Sequence, residues 1–206
     1  MRRSWILATA LLLLPVASAH AHDQPKLTTK MRAAPAVPDL SREERARAYF
    51  TDLPLIAQDG RELRFYSDVL KDKTVLIYMF FASCTDACPL LNAKLAQVKD
   101  LLGERAGRDI LLVSLTVDPK TDTPEKLRGY AESFGASPSS WLFLTGADKN
   151  VDTIIRKLGH TAPDPAGHLS WLLLGNTAKG RWTKLPPSLP EPAIAERLRL
   201  LADVPG

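Results

Sequence analysis

The run Thr74-Val75-Leu76-Ile77-Tyr78-Met79-Phe80-Phe81-Ala82-Ser83-Cys84-Thr85-Asp86-Ala87-Cys88-Pro89 decides the fold. Its first half, Thr74 to Phe81, is almost unbroken apolar residues, many of them β-branched or aromatic. That pattern predicts a strand buried on both faces. Pro89 suits a first helical position, where a missing N–H costs nothing. Beyond it Leu91, Leu95, Val98 and Leu102 recur at helical spacing up to Gly103. These mark one apolar face of a helix and a glycine stop. The two cysteines therefore sit at a strand-to-helix junction.

The same alternation extends outward. Ile110–Val117 predicts a second buried strand. Thr123-Pro124 opens a helix with Leu127, Tyr130, Ala131 and Phe134 on one stripe and Gly135 as its stop. Trp141–Leu144 predicts a short strand, and Val151, Ile154, Ile155 and Leu158 a helix ending at Gly159. Leu169–Leu174 and Arg181–Leu185 predict a hairpin joined around Gly175-Asn176 and Gly180, and Ile194, Leu198 and Leu201 a last helix. Upstream, Asp59-Gly60 between Leu55-Ile56-Ala57 and Leu63-Arg64-Phe65 is a hairpin signal. Ser41-Arg42-Glu43-Glu44 fits a capping box for a short helix through Phe50. The order is a β-hairpin, then βαβαβα, then ββα. It predicts an α/β protein with a mixed central sheet flanked by helices, in a thioredoxin-like fold with an N-terminal β-hairpin.

The first residues are read as targeting. Met1-Arg2-Arg3 is basic, Trp5–Val16 is mostly apolar, and Ala17-Ser18-Ala19 has the small residues of a cleavage site. The apolar run is shorter than the roughly 20 residues a bilayer span needs. Residues 1–19 are therefore predicted to be a cleaved signal peptide, with an uncleaved anchor as the alternative, and the protein to be periplasmic. Residues 20–47, rich in Pro, Ala and Lys over 23–40, are predicted to be a flexible linker, and 48–206 the folded domain. The net charge is +4, and without Arg2 and Arg3 it is +2, 25 basic against 23 acidic residues. That balance gives no case for nucleic acid, and no glycine-rich phosphate loop or internal repeat is present.

The chain has two cysteines, Cys84 and Cys88. In an oxidising compartment a pair usually forms a structural disulfide. A Cys84–Cys88 bridge closes so small a loop that it constrains the unfolded chain little. Chemistry is the better use. A helix N-terminus has free N–H groups and partial positive charge, which lower a thiol's pKa. If 84–88 is helical, both sulfurs share one face, one turn apart. Two soft thiolates so placed favour Cu(I), with Zn(II) an option, and at that range a disulfide can also form. The spacing is CxxxC, not the CxxC of redox thioredoxins.

Phe80–Pro89 resembles the signature of the Sco/SenC family of copper-binding, thioredoxin-like proteins: two Cys three residues apart, an Asp between them, and Pro after the second. Thr116-Val117-Asp118-Pro119 with Asp122-Thr123-Pro124 is similar to a second family signature. Gly167-His168-Leu169-Ser170 stands where the family keeps its copper-ligating His. The resemblance covers residues 50–204. It implies a copper site of Cys84, Cys88 and His168. It further implies copper delivery, or thiol reduction, at the binuclear copper site of cytochrome c oxidase. The expected partner is the copper-bearing oxidase subunit or another periplasmic copper protein. Two departures stand out: Gly167 replaces the family's Asp before His168, and Gly159–His168 is shorter than the family's loop.

Other residues have plainer readings. Asp86 is read either as capping the helix or as tuning the site from behind the ligands. His160, after Gly159, is read as favouring a helix C-terminal dipole. Asp118 and Asp122 are read as turn and cap formers, and Trp141, Trp171 and Trp182 as core. Cleavage after Ala19 would leave His20-Ala21-His22 as an N-terminus able to hold Cu(II) in a square plane. Two alternatives to a copper chaperone remain. One is a thiol–disulfide oxidoreductase using Cys84 and Cys88. The other is a thiol peroxidase built on Thr85…Cys88, against which Phe81 occupies the position where such enzymes need Pro.

Overall fold

The computed structural model describes residues 40–160 and 171–205. Residues 39–206 belong to one compact unit. Its elements are α1 (Arg42–Phe50), β1 (Pro54–Ala57), β2 (Glu62–Arg64), β3 (Thr74–Phe80), α2 (Ala87–Leu102), β4 (Ile110–Thr116) and α3 (Pro124–Glu132). They continue with β5 (Trp141–Thr145), α4 (Asp148–Lys157), β6 (Leu172–Asn176), β7 (Arg181–Leu185) and α5 (Glu191–Asp203). A single π-helical turn, Phe65–Leu70, joins β2 to β3. Ser41 and Glu44 cap α1 reciprocally, and Thr123 caps α3 ahead of Pro124, as the sequence predicts. Among the described residues no helix is long and apolar enough to cross a membrane.

All seven strands form one mixed sheet in the order β2-β1-β5-β4-β3-β6-β7. β3, β4 and β5 run parallel, and β1 and β6 flank them antiparallel. β3 and β4 are buried at every position because helices cover both faces. Val75, Ile77 and Met79 pack with Phe50 of α1 and with Val151 and Ile154 of α4. Leu76, Tyr78 and Phe80 point the other way, into a second core with Leu91 and Leu95 of α2, Leu127 of α3, and Ile194 and Leu198 of α5. Period-two alternation of β3 thus builds two cores from one apolar run. Trp141 and Trp182 join these cores, as predicted.

Two boundaries differ from the sequence reading. Gly175-Asn176 lies within β6, not in the turn, which is taken by Thr177–Gly180 with Gly180 at φ 61°. Gly175 is there for packing: an added Cβ would fall 2.1 Å from the Trp182 ring opposite. Asn176 donates from Nδ2 to Thr74 Oγ1 (2.9 Å) and accepts Lys179 N–H at Oδ1 (3.1 Å), which ties the turn to the sheet. The second difference is at α2. It starts at Ala87, two residues before the predicted Pro89, because the sulfur of Cys84 meets one of its free N–H groups.

Candidate metal centre

β3 and β4 are parallel and in register from Thr74 opposite Ile110 to Phe80 opposite Thr116. The loops leaving both strands therefore emerge side by side at their C-terminal edge, where open α/β sheets place their sites. Cys84 lies on the β3–α2 loop, its N–H bonded to the Phe81 carbonyl at 3.1 Å. Cys88 is the second residue of α2. Its N–H donates to Cys84 Sγ at 3.4 Å. A helix begins with unsatisfied N–H groups, and here a sulfur accepts where a capping oxygen usually does. Asp86 occupies the cap position but makes no side-chain capping bond. Of its two sequence readings, capping is thus corrected.

The two thiols are not joined in a disulfide, and they are unequal. Cys84 is partly exposed, and Cys88 is 2% exposed. Partial burial pushes the Cys84 thiol up. Hydrogen bonds from the Cys88 thiol and from the N–H groups of Asp86, Cys88 and Ala87 outweigh it, so the net direction is down. Burial pushes Cys88 up to about 12, helped by the bond it donates to Cys84. The partly exposed sulfur is thus the more readily ionised of the two, and its buried neighbour the less. Under limiting iodoacetamide at neutral pH, mass spectrometry should find Cys84 alkylated well before Cys88. Equal labelling of the native protein would contradict this asymmetry.

The cysteine loop is anchored by a residue that sequence reasoning valued only as a turn or cap former. Asp122, 1% exposed, accepts Ala82 N–H at 3.0 Å and the Thr116 hydroxyl at 2.6 Å, both at Oδ2. Thr116 Oγ1 in turn accepts Asp118 N–H at 2.9 Å. The loop after β4 thereby holds the loop after β3. The signal available in the sequence was position: Asp122 follows the strand parallel to the one that feeds Cys84. Burial raises the Asp122 pKa, opposed by the Thr116 and Ala82 hydrogen bonds.

Behind Cys88 the wall is aromatic and polar. Asn92, fully buried one turn further along α2, donates to the Tyr130 hydroxyl at 3.0 Å. Tyr130 stacks on Phe80, with centroids 5.6 Å apart. His160 closes α4, its N–H on the Ile155 carbonyl, and α4 packs on the sheet face opposite α2. Trp171, 40% exposed, directly precedes β6 and is not a core residue as the sequence reading had it.

Two soft sulfurs in contact, one of them partly open to solvent, fit a soft metal such as Cu(I). Among the described residues no group of three His, Cys, Asp or Glu side chains gathers to hold a metal. His168 and Gly167 lie outside the described residues, as do His20, His22 and the predicted leader.

Comparison with known proteins sets this geometry in context. The SCO1/SenC family model matches residues 42–202. An SCO2-like protein of Rickettsia conorii is 37% identical over 106 residues, 52% of this chain and 49% of that one. The chain thus spans about half the length of such curated relatives. Among solved structures, Bradyrhizobium japonicum ScoI with copper bound aligns at TM-score 0.61 and 23% identity, covering 72% of this chain and 96% of that one. BsSco, described as a member of the Sco family of cytochrome c oxidase assembly proteins, aligns at TM-score 0.63 and 22% identity, covering 76% and 94%. These structural likenesses establish the thioredoxin-like fold, and on the family match across residues 42–202 the chain belongs to the SCO1/SenC family.

Proposed function

We propose that this protein is a periplasmic copper-binding metallochaperone. It would deliver copper to the binuclear copper site of cytochrome c oxidase, or keep that site's thiols reduced. The observation that carries the reading is the paired, unequal thiols of Cys84 and Cys88 at the start of α2. Both act as thiolate ligands, and His168 completes a three-coordinate site. The register of β6 supports that role. It runs antiparallel to β3, from Asn176 opposite Thr74 to Leu173 opposite Ile77. β6 therefore begins at the end of β3 that leads into the cysteine loop, and His168 is four residues upstream of Leu172 in sequence. A nitrogen ligand lets the site hold Cu(II) as well as Cu(I). Exposed Ser83, Thr85, Asp86 and Ala87 leave one side open for a partner, as release of cargo requires. Loading releases the thiol protons, and a Cys84–Cys88 disulfide blocks it.

The thiol asymmetry favours a second reading, thiol–disulfide exchange. The Cys84 thiolate attacks one sulfur of a partner disulfide, forming a mixed disulfide and expelling a partner thiolate. Cys88 then loses its proton and attacks Cys84 Sγ. The Cys84–Cys88 disulfide forms and the second partner thiolate leaves, two electrons having passed to the partner.

His168→Ala separates the two. Its Cu(I) affinity, measured by chelator competition, should fall by more than the roughly 10–100-fold that outer partners of a ligand cost. Reduction of a disulfide substrate should continue near the wild-type rate. Unchanged copper affinity would remove His168 from the site. Undetectable copper binding in the wild type, with exchange intact, would favour the oxidoreductase reading.

A further inference from the structure

Beside the cysteine loop the surface holds an apolar groove of about 460 Å³, between α2 and the segment that leads into α5. Ala87, Leu90 and Lys94, at helical spacing along α2, form one wall, and Pro187 and Glu191 stand across from them. Leu91, 6% exposed, lies beneath and shares its core with Cys88. Leu90 is 73% exposed, the most of any large apolar side chain among the described residues. A lone exposed leucine needs no explanation. This one edges a concave apolar surface, the form that binding sites take.

The groove is preformed and its charges are already paired. Lys94 Nζ donates to the Pro187 carbonyl at 2.8 Å and stands 3.8 Å from a Glu191 carboxylate oxygen. Those contacts tie the two walls together and satisfy the two charged side chains that line the groove among the described residues. An uncharged, apolar side chain is what such a surface complements.

The position of the groove decides whose side chain that is. Ala87 lines it and also belongs to the exposed residues around Cys84, with Ser83, Thr85 and Asp86. The groove is therefore continuous with the open side of the site. Ala87 is three residues beyond Cys84, a span of at most about 11 Å. Copper transfer and disulfide exchange both bring a partner's cysteine sulfur to Cys84. An extended chain advances about 3.3 Å per residue, so a side chain about three positions from that cysteine reaches the groove.

We propose that the groove docks the cysteine-bearing segment of the partner protein, with an apolar side chain about three residues from the partner's cysteine seated against Leu90 and Leu91 while that cysteine meets Cys84. This deepens the function proposed above and rests on what its two readings share, a partner sulfur at Cys84.

Short Gly/Ser peptides whose single cysteine is disulfide-bonded to nitrothiobenzoate test it on the reduced protein. The Cys84 thiolate attacks the peptide sulfur, a Cys84–peptide disulfide forms, and the coloured nitrothiobenzoate thiolate leaves with the electron pair of the broken bond. A peptide with leucine three residues before or after its cysteine should react about tenfold faster than the matched alanine peptide, as partial burial of a leucine implies. In Leu90→Asp, a change at an exposed position that the fold tolerates, the leucine-to-alanine rate ratio should fall to near unity. Leu101→Asp, on the same helix but outside the groove, should keep the ratio. Equal rates for leucine and alanine peptides with the wild type would overturn the proposal, and so would a ratio untouched by Leu90→Asp. A dimer in sedimentation that Leu90→Asp takes apart would also overturn it, because a second copy would then fill the groove. If no peptide released nitrothiobenzoate while iodoacetamide still labelled Cys84, the reading of Cys84 as the partner-facing sulfur would fall along with the groove. Release at equal rates leaves that reading standing and removes the groove alone.

Discussion

Serine in place of Cys88 should abolish stoichiometric Cu(I) binding while leaving the fold in place. The exchange swaps a soft sulfur for a hard hydroxyl at the buried half of the site, and Cu(I) discriminates strongly between them. The loss should exceed the roughly 10–100-fold that outer-shell substitutions cost, because a ligand itself is removed. The structural cost is modest. A serine hydroxyl at the second position of α2 still reaches Cys84 Sγ, and imperfect pairing of a buried hydroxyl costs about 1–3 kcal/mol. Chelator competition read beside thermal melting checks both halves. An affinity within tenfold of wild type would mean that Cys88 is not a ligand.

Asp122→Ala should bring the largest loss of stability among substitutions near the site, and should loosen the site with it. Asp122 Oδ2 accepts both Ala82 N–H and the Thr116 hydroxyl. Removing it strands the buried Thr116 hydroxyl, at about 1–3 kcal/mol, and the part-buried Ala82 N–H, at the lower end of that range. A total of about 3 kcal/mol corresponds to roughly a 6–12 °C fall in melting temperature for a chain of this size. Ala82 is two residues before Cys84, so copper affinity should fall too.

Asp122→Asn distinguishes charge from geometry. Burial holds the native carboxyl above its ordinary 3.8, so the folded protein keeps a proton that the unfolded chain loses. Stability from this group is full below that value and falls as pH rises through the window up to the raised native pKa. Asparagine, neutral at every pH, should remove that part of the slope. A wild-type melting temperature that rises across the same window, after comparison with Asp122→Asn, would contradict the sign.

Much of this arrangement was legible because local and tertiary demands agree. The Thr74–Phe81 run could be buried only between two helical layers. Thr123-Pro124 spells a helix start, and Asp59-Gly60 spells a tight turn, with Gly60 at φ 86°. The misreadings share a cause: each residue's role is set by a partner distant in sequence or atypical in chemistry. Gly175 looks like a turn residue until the Trp182 ring is seen over its Cα. Asp86 has the right type and place for a cap, yet a cysteine sulfur takes that work. Asp122 bonds across 40 residues to Ala82, a separation over which no local pattern operates. His168 rests on the family resemblance and on where β6 begins, since it lies outside the described residues.

The central claim is that Cys84 and Cys88 together hold copper. Titration of the reduced protein with Cu(I) and Cu(II), beside the Cys84→Ser/Cys88→Ser double variant, tests it most directly. The account predicts one equivalent of copper bound by the wild type, with sulfur-to-copper charge transfer in the Cu(II) form, and neither in the double variant. Wild-type binding no tighter than that of a simple thiol, or copper retained by the double variant, would contradict it.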